Sequence, residues 1–261
     1  VTTAIVILFL IGAISGTWTM SGIVPTFIYY GVKIISPKVF LLTACIICAL
    51  VSVTIGSSWT TIATIGVALL GIGKALGFSD GMIAGAIISG AYFGDKISPL
   101  SDTTVLASSM SKVPMFDHIR YLMYTTVPSI VITLVIFTIL GFSHSGSDSS
   151  LINEYTSVLD SKFNITPWLL IVPALTAVMI ARRMPALIVL ALSTATAAIA
   201  AIIFQPDIIR EIGASIAGDG SNAKILFTGT IESIYNSVSI ETGNPEVNQL
   251  VASKGMLGML N

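Results

Sequence analysis

One stretch in the first half of the chain, Gly90-Ala-Tyr-Phe-Gly-Asp-Lys-Ile-Ser-Pro-Leu-Ser-Asp-Thr-Thr104, constrains the fold more than any other. It lies in a long apolar tract, yet it carries two carboxylates, two serines, two threonines and Pro99. Pro99 has no N–H and clashes with the carbonyl four residues back, and it pushes Ser98 towards an extended backbone. The stretch therefore predicts a half-helix, an unwound Ser98-Pro99-Leu100-Ser101 and a second half-helix. In hydrocarbon every backbone N–H and C=O needs a partner, so such a break is tolerated only where protein or water surrounds it. Ionisable residues there normally face the bundle interior and mark an ion or proton pathway. Asp102-Thr103-Thr104 also suits a plain capping role at the start of the second half-helix. Two Asp residues with Ser and Pro between them favour an ion site.

The rest of the composition agrees with a membrane setting. Of 261 residues, 54% are hydrophobic and 10% charged, and the mean hydropathy is +0.93, whereas soluble domains carry roughly 25% charged residues. The chain is an integral membrane protein. A net charge of −1 leaves no basic surface for nucleic acid. Cys45 and Cys48 form a Cys-x-x-Cys, but with no His or second Cys pair nearby they read as small membrane residues rather than a zinc or redox site. The chain opens at Val1 inside an apolar run with no basic region ahead of it, which predicts a chain cut at its amino end rather than a signal peptide.

Taken in order, residues 1–15 predict an apolar helix ending near Gly16, with Gly12 and Gly16 spaced for close helix contact. Residues 17–36 follow, and Tyr29, Tyr30, Lys33 and Lys38 mark a membrane interface. Two apolar arms flank Gly56-Ser-Ser-Trp-Thr-Thr61, each shorter than the ~20 residues of a perpendicular span, which predicts a re-entrant hairpin over about 39–77. An ordinary turn between short spans is the plainer alternative. The tip would carry the hydroxyls of Ser57, Ser58 and Thr60 to the broken helix, expected over about 82–112. Gly81, Gly85, Gly90 and Gly94 predict tight packing of its first half. Tyr121–Phe142 reads as a full span, Ser143–Thr166 as a polar loop, and Pro167–Ala181 and Pro185–Phe204 as two more spans around Arg182-Arg183. His118 reads as a solvated interfacial residue. Lys33, Lys38, Lys74 and Lys162 fall on one side and Lys112, Arg120, Arg182 and Arg183 on the other, a tie under the positive-inside rule; Arg182-Arg183 is taken as cytoplasmic. The expected fold class is all-α integral membrane, a polytopic helix bundle. Residues 1–204 form the transmembrane bundle, and 205–261 form an interfacial segment with amphipathic stretches at Ile208–Ile212 and Ile225–Ile240.

Ser89 to Thr104, with Gly56-Ser-Ser-Trp-Thr-Thr61, Gly16-Thr-Trp18, Tyr29-Tyr30-Gly31, Ile35-Ser-Pro37, Glu241-Thr-Gly243 and Lys254-Gly255-Met256, resembles the NhaC family of sodium/proton antiporters over essentially the whole chain. The resemblance implies a multi-pass cell-membrane transporter of two inverted repeats, each with a hairpin and a broken helix. The first repeat is recognisable at 39–112, and no second Asp/Ser/Pro-broken apolar segment follows residue 113. Family members continue past the point where Asn261 falls, so the chain is expected to be a fragment lacking much of the second repeat, with 205–261 leading to the missing spans.

The implied activity is exchange of Na+ for H+. Sodium is a hard cation that prefers oxygen ligands, and burial raises the proton affinity of a carboxylate, so one Asp can hold either ion. Asp102 is expected to be the principal exchanging carboxylate and Asp95 the second, with oxygens from Ser98, Ser101, Thr103, Ser57, Ser58 and Thr60. Lys96 would partner Asp95 while the site is empty. No cofactor is expected beyond the transported Na+ and H+; the partners are these ions and the lipid bilayer, and a homodimer is compatible. One alternative keeps the fold and exchanges an organic anion or amino acid, since hydroxyls and helix N-termini also bind carboxylates. A remoter one, an intramembrane aspartyl hydrolase using Asp95 and Asp102, needs the two carboxyls about 3 Å apart, which one broken helix makes hard to arrange.

Overall fold

The structure is a computed structural model that describes residues 2–99, 101–143, 149–182, 184–218, 221–252 and 255–257. Leu100, Arg183, Asp219, Gly220 and Lys254 lie outside the described residues, and so does the side chain of Asp102. Among the described residues there are helices and no strand. The first are α1 (Thr2–Met20), α2 (Ile23–Ile34), α3 (Phe40–Ile55), α4 (Ser58–Thr61), α5 (Val67–Ala75), α6 (Asp80–Ile97) and α7 (Asp102–Met110). Then come α8 (Met115–Ser143), α9 (Ser149–Lys162), α10 (Ile171–Ala181), α11 (Ala186–Phe204), α12 (Pro206–Ala217), α13 (Asn222–Tyr235) and α14 (Pro245–Leu250). Pro37–Thr54, Ser58–Ala75, Met115–Ser143 and Leu187–Phe204 are long and apolar enough to cross a membrane, and Asn153–Lys162 with Pro167–Met179 adds a pair bent by 90°. The chain divides into two compact units, residues 31–148 and residues 1–30 with 149–261.

In the unit 31–148, α6 lies along α3 because two glycines remove the side chains that would hold the backbones apart. A Cβ on Gly90 would overlap the Cys45 carbonyl oxygen, and one on Gly94 the Ala49 carbonyl oxygen. Residue numbers rise together along this contact, so α3 and α6 run parallel. The Ser52 hydroxyl pins them by donating to the Ala91 carbonyl at 2.6 Å. The hairpin's second arm runs the other way, with Gly66 against Ile87 and Gly73 against Ile83. It starts at Ser58 rather than near Ile62, because Ser57 is an N-cap whose hydroxyl accepts from the Thr60 N–H. The polar link thus shrinks to Gly56, left-handed at φ 71°, and Ser57. A π-helical turn, Ile62–Gly66, joins α4 to α5. The antiparallel α8 closes the unit, with Gly141 against the Lys38 carbonyl. Parallel α3 and α6 place the hairpin tip and the helix break at one end of the unit.

In the other unit α1 runs on to Met20, past the expected end near Gly16, because the Thr17 and Thr19 hydroxyls bond back to the carbonyls of Ala13 and Ser15 at 2.9 Å without breaking the helix. It packs on α11 and α13. The Trp18 indole N–H donates to the Ser193 hydroxyl at 3.1 Å, and Ser193 lies 2.8 Å from the Thr176 hydroxyl, which joins α1, α11 and α10 through a buried polar chain. The segment expected as a polar loop contains α9. Its buried Tyr155 and Leu159, with Phe163 just past its end, recur every four residues, an apolar stripe hidden by Ser, Asp and Asn on the other faces. Buried Gln205 exchanges two 3.0 Å bonds with the Asn164 backbone. After it, α12 and α13 pair with Gly213 and Gly229 in mutual backbone contact.

Candidate functional site

The break falls where Pro99 predicts it. Helix α6 stops at Ile97, Ser98 is extended (φ −78°, ψ 127°), and Ser101, also extended, caps α7. The Ser101 hydroxyl accepts from the Thr104 N–H at 3.4 Å and lies 2.8 Å from the Thr103 hydroxyl. Thr104 reaches back across the break and donates to the carbonyls of Lys96 (3.2 Å) and Asp95 (3.4 Å), the last acceptors of α6. The Ser98 hydroxyl donates to the Val53 carbonyl at 2.8 Å, tying the break to the end of α3. Ser98, Ser101 and Thr104 are buried, so these groups have exchanged water for protein partners, as a break inside a bilayer requires.

A side-chain bond joins the hairpin tip to Asp95. Ser58, at the first residue of α4, donates its hydroxyl to Asp95 Oδ2 at 2.9 Å. Ser58 is buried and Asp95 half-buried. The other tip residues hold the tip's own shape: the Thr60 hydroxyl lies 3.1 Å from that of Ser57, and the Thr61 hydroxyl donates to the Ser57 carbonyl. Of the residues expected to supply oxygens, Ser58 and Asp95 meet directly, Ser57 with Thr60 and Ser101 with Thr103 form two capping pairs, and Ser98 anchors the break. Asp102 opens α7 by its backbone. Lys96 makes no ion pair with Asp95; adjacent helical residues point in different directions, and Lys96 is exposed on the face towards α8.

Thr104, Ser52 and the Val53 carbonyl escaped the expected set. Thr104 sat in the right string and was legible there as a hydroxyl one turn past the break. Ser52 and Val53 carry no local signal, since they matter only because α3 runs parallel to α6. Among the described residues no group of three or more His, Cys, Asp or Glu comes together. The oxygens at the tip and the break are hydroxyls, carbonyls and carboxylate, donors that suit hard cations better than the softer transition metals.

A polytopic all-α membrane protein with a helix broken around a carboxylate, facing a hydroxyl-bearing hairpin tip, has the build of a secondary transporter. The chain belongs to the Na+/H+ antiporter family, whose family model matches residues 90–237, and it is a multi-pass cell-membrane protein. It is 42% identical over 260 residues to the malate-2H(+)/Na(+)-lactate antiporter of Bacillus subtilis (strain 168), a match covering 99% of this chain and 52% of that protein. It is 41% identical over 256 residues to the Na(+)/H(+) antiporter NhaC of Alkalihalophilus pseudofirmus, covering 98% and 52%. To the arginine/ornithine antiporter ArcD of Halobacterium salinarum it is 33% identical over 261 residues, covering 98% and 50%. The chain spans about half the length of these relatives. No solved structure matches it.

Proposed function

We propose that the chain carries an exchange site of a Na+/H+ antiporter, a transporter and not an enzyme, in which Na+ and H+ compete for carboxylates at the broken helix. The observation that carries this reading is the 2.9 Å bond from the Ser58 hydroxyl to Asp95 Oδ2, between the hairpin tip and the end of α6. A carboxylate held by one hydroxyl beside unwound backbone can take a proton when the site is empty of metal. It can instead share Na+ with the hydroxyl oxygen and nearby carbonyls. Asp102 is the principal exchanging carboxylate and Asp95 the second; Ser57, Thr60, Ser98, Ser101 and Thr103 keep the tip and break in register or supply further oxygens.

The test is Na+-driven proton flux in proteoliposomes of the full-length parent, with Asp102→Asn and Asp95→Asn beside it. A Na+-triggered pH change, lost in Asp102→Asn and reduced in Asp95→Asn, is the expected result. Flux that survives both substitutions unchanged would remove the broken helix from the mechanism.

A second reading, exchange of a carboxylate-bearing solute coupled to the same ions, is favoured by one feature. Lys96 stands in a hydroxyl-lined cleft next to the break. The names of two relatives, a malate/lactate and an arginine/ornithine antiporter, are compatible with such cargo on this fold.

A further inference from the structure

We infer that the joint between α1 and α2 is a binding site for ordered water, in which a buried molecule bridges the Ser21 carbonyl and the Thr26 hydroxyl beside the Gln205 side chain. The site lies within the unit formed by residues 1–30 and 149–261 and does not depend on the exchange reading.

Two residues make the joint. Helix α1 ends at Met20 and α2 begins at Ile23, with Gly22 between them left-handed at φ 80°. Pro25, the third residue of α2, has no N–H to give the carbonyl four residues back. That carbonyl belongs to Ser21. The next donor along, the Thr26 N–H, is spent on the Gly22 carbonyl at 2.9 Å. The Ser21 carbonyl therefore accepts no hydrogen bond from the described residues, although Ser21 is fully buried.

The side chains around it are short of partners too. Thr17, Thr19 and Ser21 bond back to carbonyls of α1. Thr26 does not. Among the described residues, the buried side-chain nitrogen and oxygen atoms with no partner are Thr26 Oγ1 and Thr166 Oγ1, and both belong to segments that meet at Gly22. The N–H bond to Gly22 holds Thr26 one turn above the Ser21–Gly22 peptide, so its hydroxyl and the Ser21 carbonyl share one edge of the helix. Gln205 packs on the same peptide: a Cβ on Gly22 would overlap Gln205 Nε2 and press on Leu169, three residues after Thr166. One Nε2 hydrogen goes to the Asn164 carbonyl at 3.0 Å. The second has no acceptor among the described residues, and Gln205 is buried.

Water is the ligand that fits these groups. None of them is charged. Thr26 and Gln205 offer hydrogens and Ser21 offers a lone pair, so a cation would meet the amide hydrogens and an anion would meet the carbonyl. A water molecule accepts from the first two and donates to the third, close to the three bonds that buried waters usually make. Left unpaired, each such group keeps its full desolvation cost. Ordered water is one of the means by which carbonyls freed by proline are satisfied inside a membrane.

The experiment measures melting of the purified full-length parent in detergent for Thr26→Val, Pro25→Ala and the two together, beside a structure of the parent at a resolution that shows water. Valine keeps the shape of threonine and removes the hydroxyl. A dry joint predicts that Thr26→Val, by deleting an unpaired buried hydroxyl, melts at the same temperature or higher. A bridged joint predicts the reverse, a melting temperature lower by about 2 °C or more, because the Ser21 carbonyl loses its water as well. Pro25→Ala restores an N–H for Ser21, so in that background the loss from Thr26→Val should shrink by roughly half or more. Equal or higher melting of Thr26→Val, or the same loss in both backgrounds, overturns the inference. Should the variants fail to fold, the density decides. A water peak within hydrogen-bond distance of both Thr26 Oγ1 and the Ser21 oxygen is expected; no peak, or a direct bond between protein groups there, overturns the bridge.

Discussion

Among the described residues, the side chain from another element that bonds Asp95 is Ser58, through its hydroxyl. A hydroxyl donating to a carboxylate is worth roughly 1.5–3 kcal/mol. Ser58→Ala is therefore expected to shift the apparent Na+ affinity of the parent by about tenfold while Ser57→Ala, which removes only a cap, shifts it much less. Flux titrated against Na+ separates the two, and an unchanged Ser58→Ala would detach the tip from the site. Sequence reasoning grouped Ser57, Ser58 and Thr60 together because all three sit in one polar tip. Rotation about a helix start separates them: Ser57 faces the tip's own N–H groups and Ser58 faces α6. The cysteines were legible from the sequence as inert membrane residues, and both are free and buried. Neither should react with a membrane-impermeant maleimide until the protein is denatured; rapid labelling of folded protein would contradict the packing of α3 on α6.

Among the elements, α6 and α7 behave as two helices with their own caps. Ser101→Ala removes the N-cap of α7 and should cost about 1 kcal/mol, read as a lower melting temperature in detergent. The α3–α6 contact predicts a sharper effect. A side chain on Gly90 or Gly94 meets backbone carbonyls that cannot step aside, so Gly90→Leu should cost about 1–3 kcal/mol or more, whereas Gly81→Ala, with nothing within 4 Å, should be nearly neutral. Equal melting of the two variants would mean that α3 and α6 do not touch in this register. The break itself was legible because proline acts locally, on its own N–H and on the residue before it. The α9 helix was not, because the apolar stripe of Tyr155, Leu159 and Phe163 is outnumbered by polar neighbours and composition over the window reads as loop. The π-helical turn at Ile62–Gly66 had no visible signal either; such turns recur at functional sites in helices, and this one directly follows the tip.

At the scale of the whole molecule, competition between Na+ and H+ fixes the sign of the pH response. Raising pH removes protons from the exchanging carboxylates, so the Na+ concentration for half-maximal flux should fall by up to about tenfold per pH unit while the site is protonated, then level off. A half-saturation that ignores pH would exclude a shared site. The amino-acid sequence by itself determined that the chain is helical and membrane-embedded, that a helix breaks at Ser98–Ser101, and that Asp95 and Asp102 flank the break. Each of these depends on apolar runs, a proline or a cap, whose influence extends over a turn or over the thickness of a bilayer. Only the tertiary structure decided that Ser58 is the hydroxyl on Asp95, that Ser52 and Val53 brace α6, and that Lys96 turns to α8 rather than to Asp95. Ser58 and Asp95 are 37 positions apart. Such a pairing depends on how deeply two helices pack and in which direction they run, and here that is set by close backbone approach at two glycines.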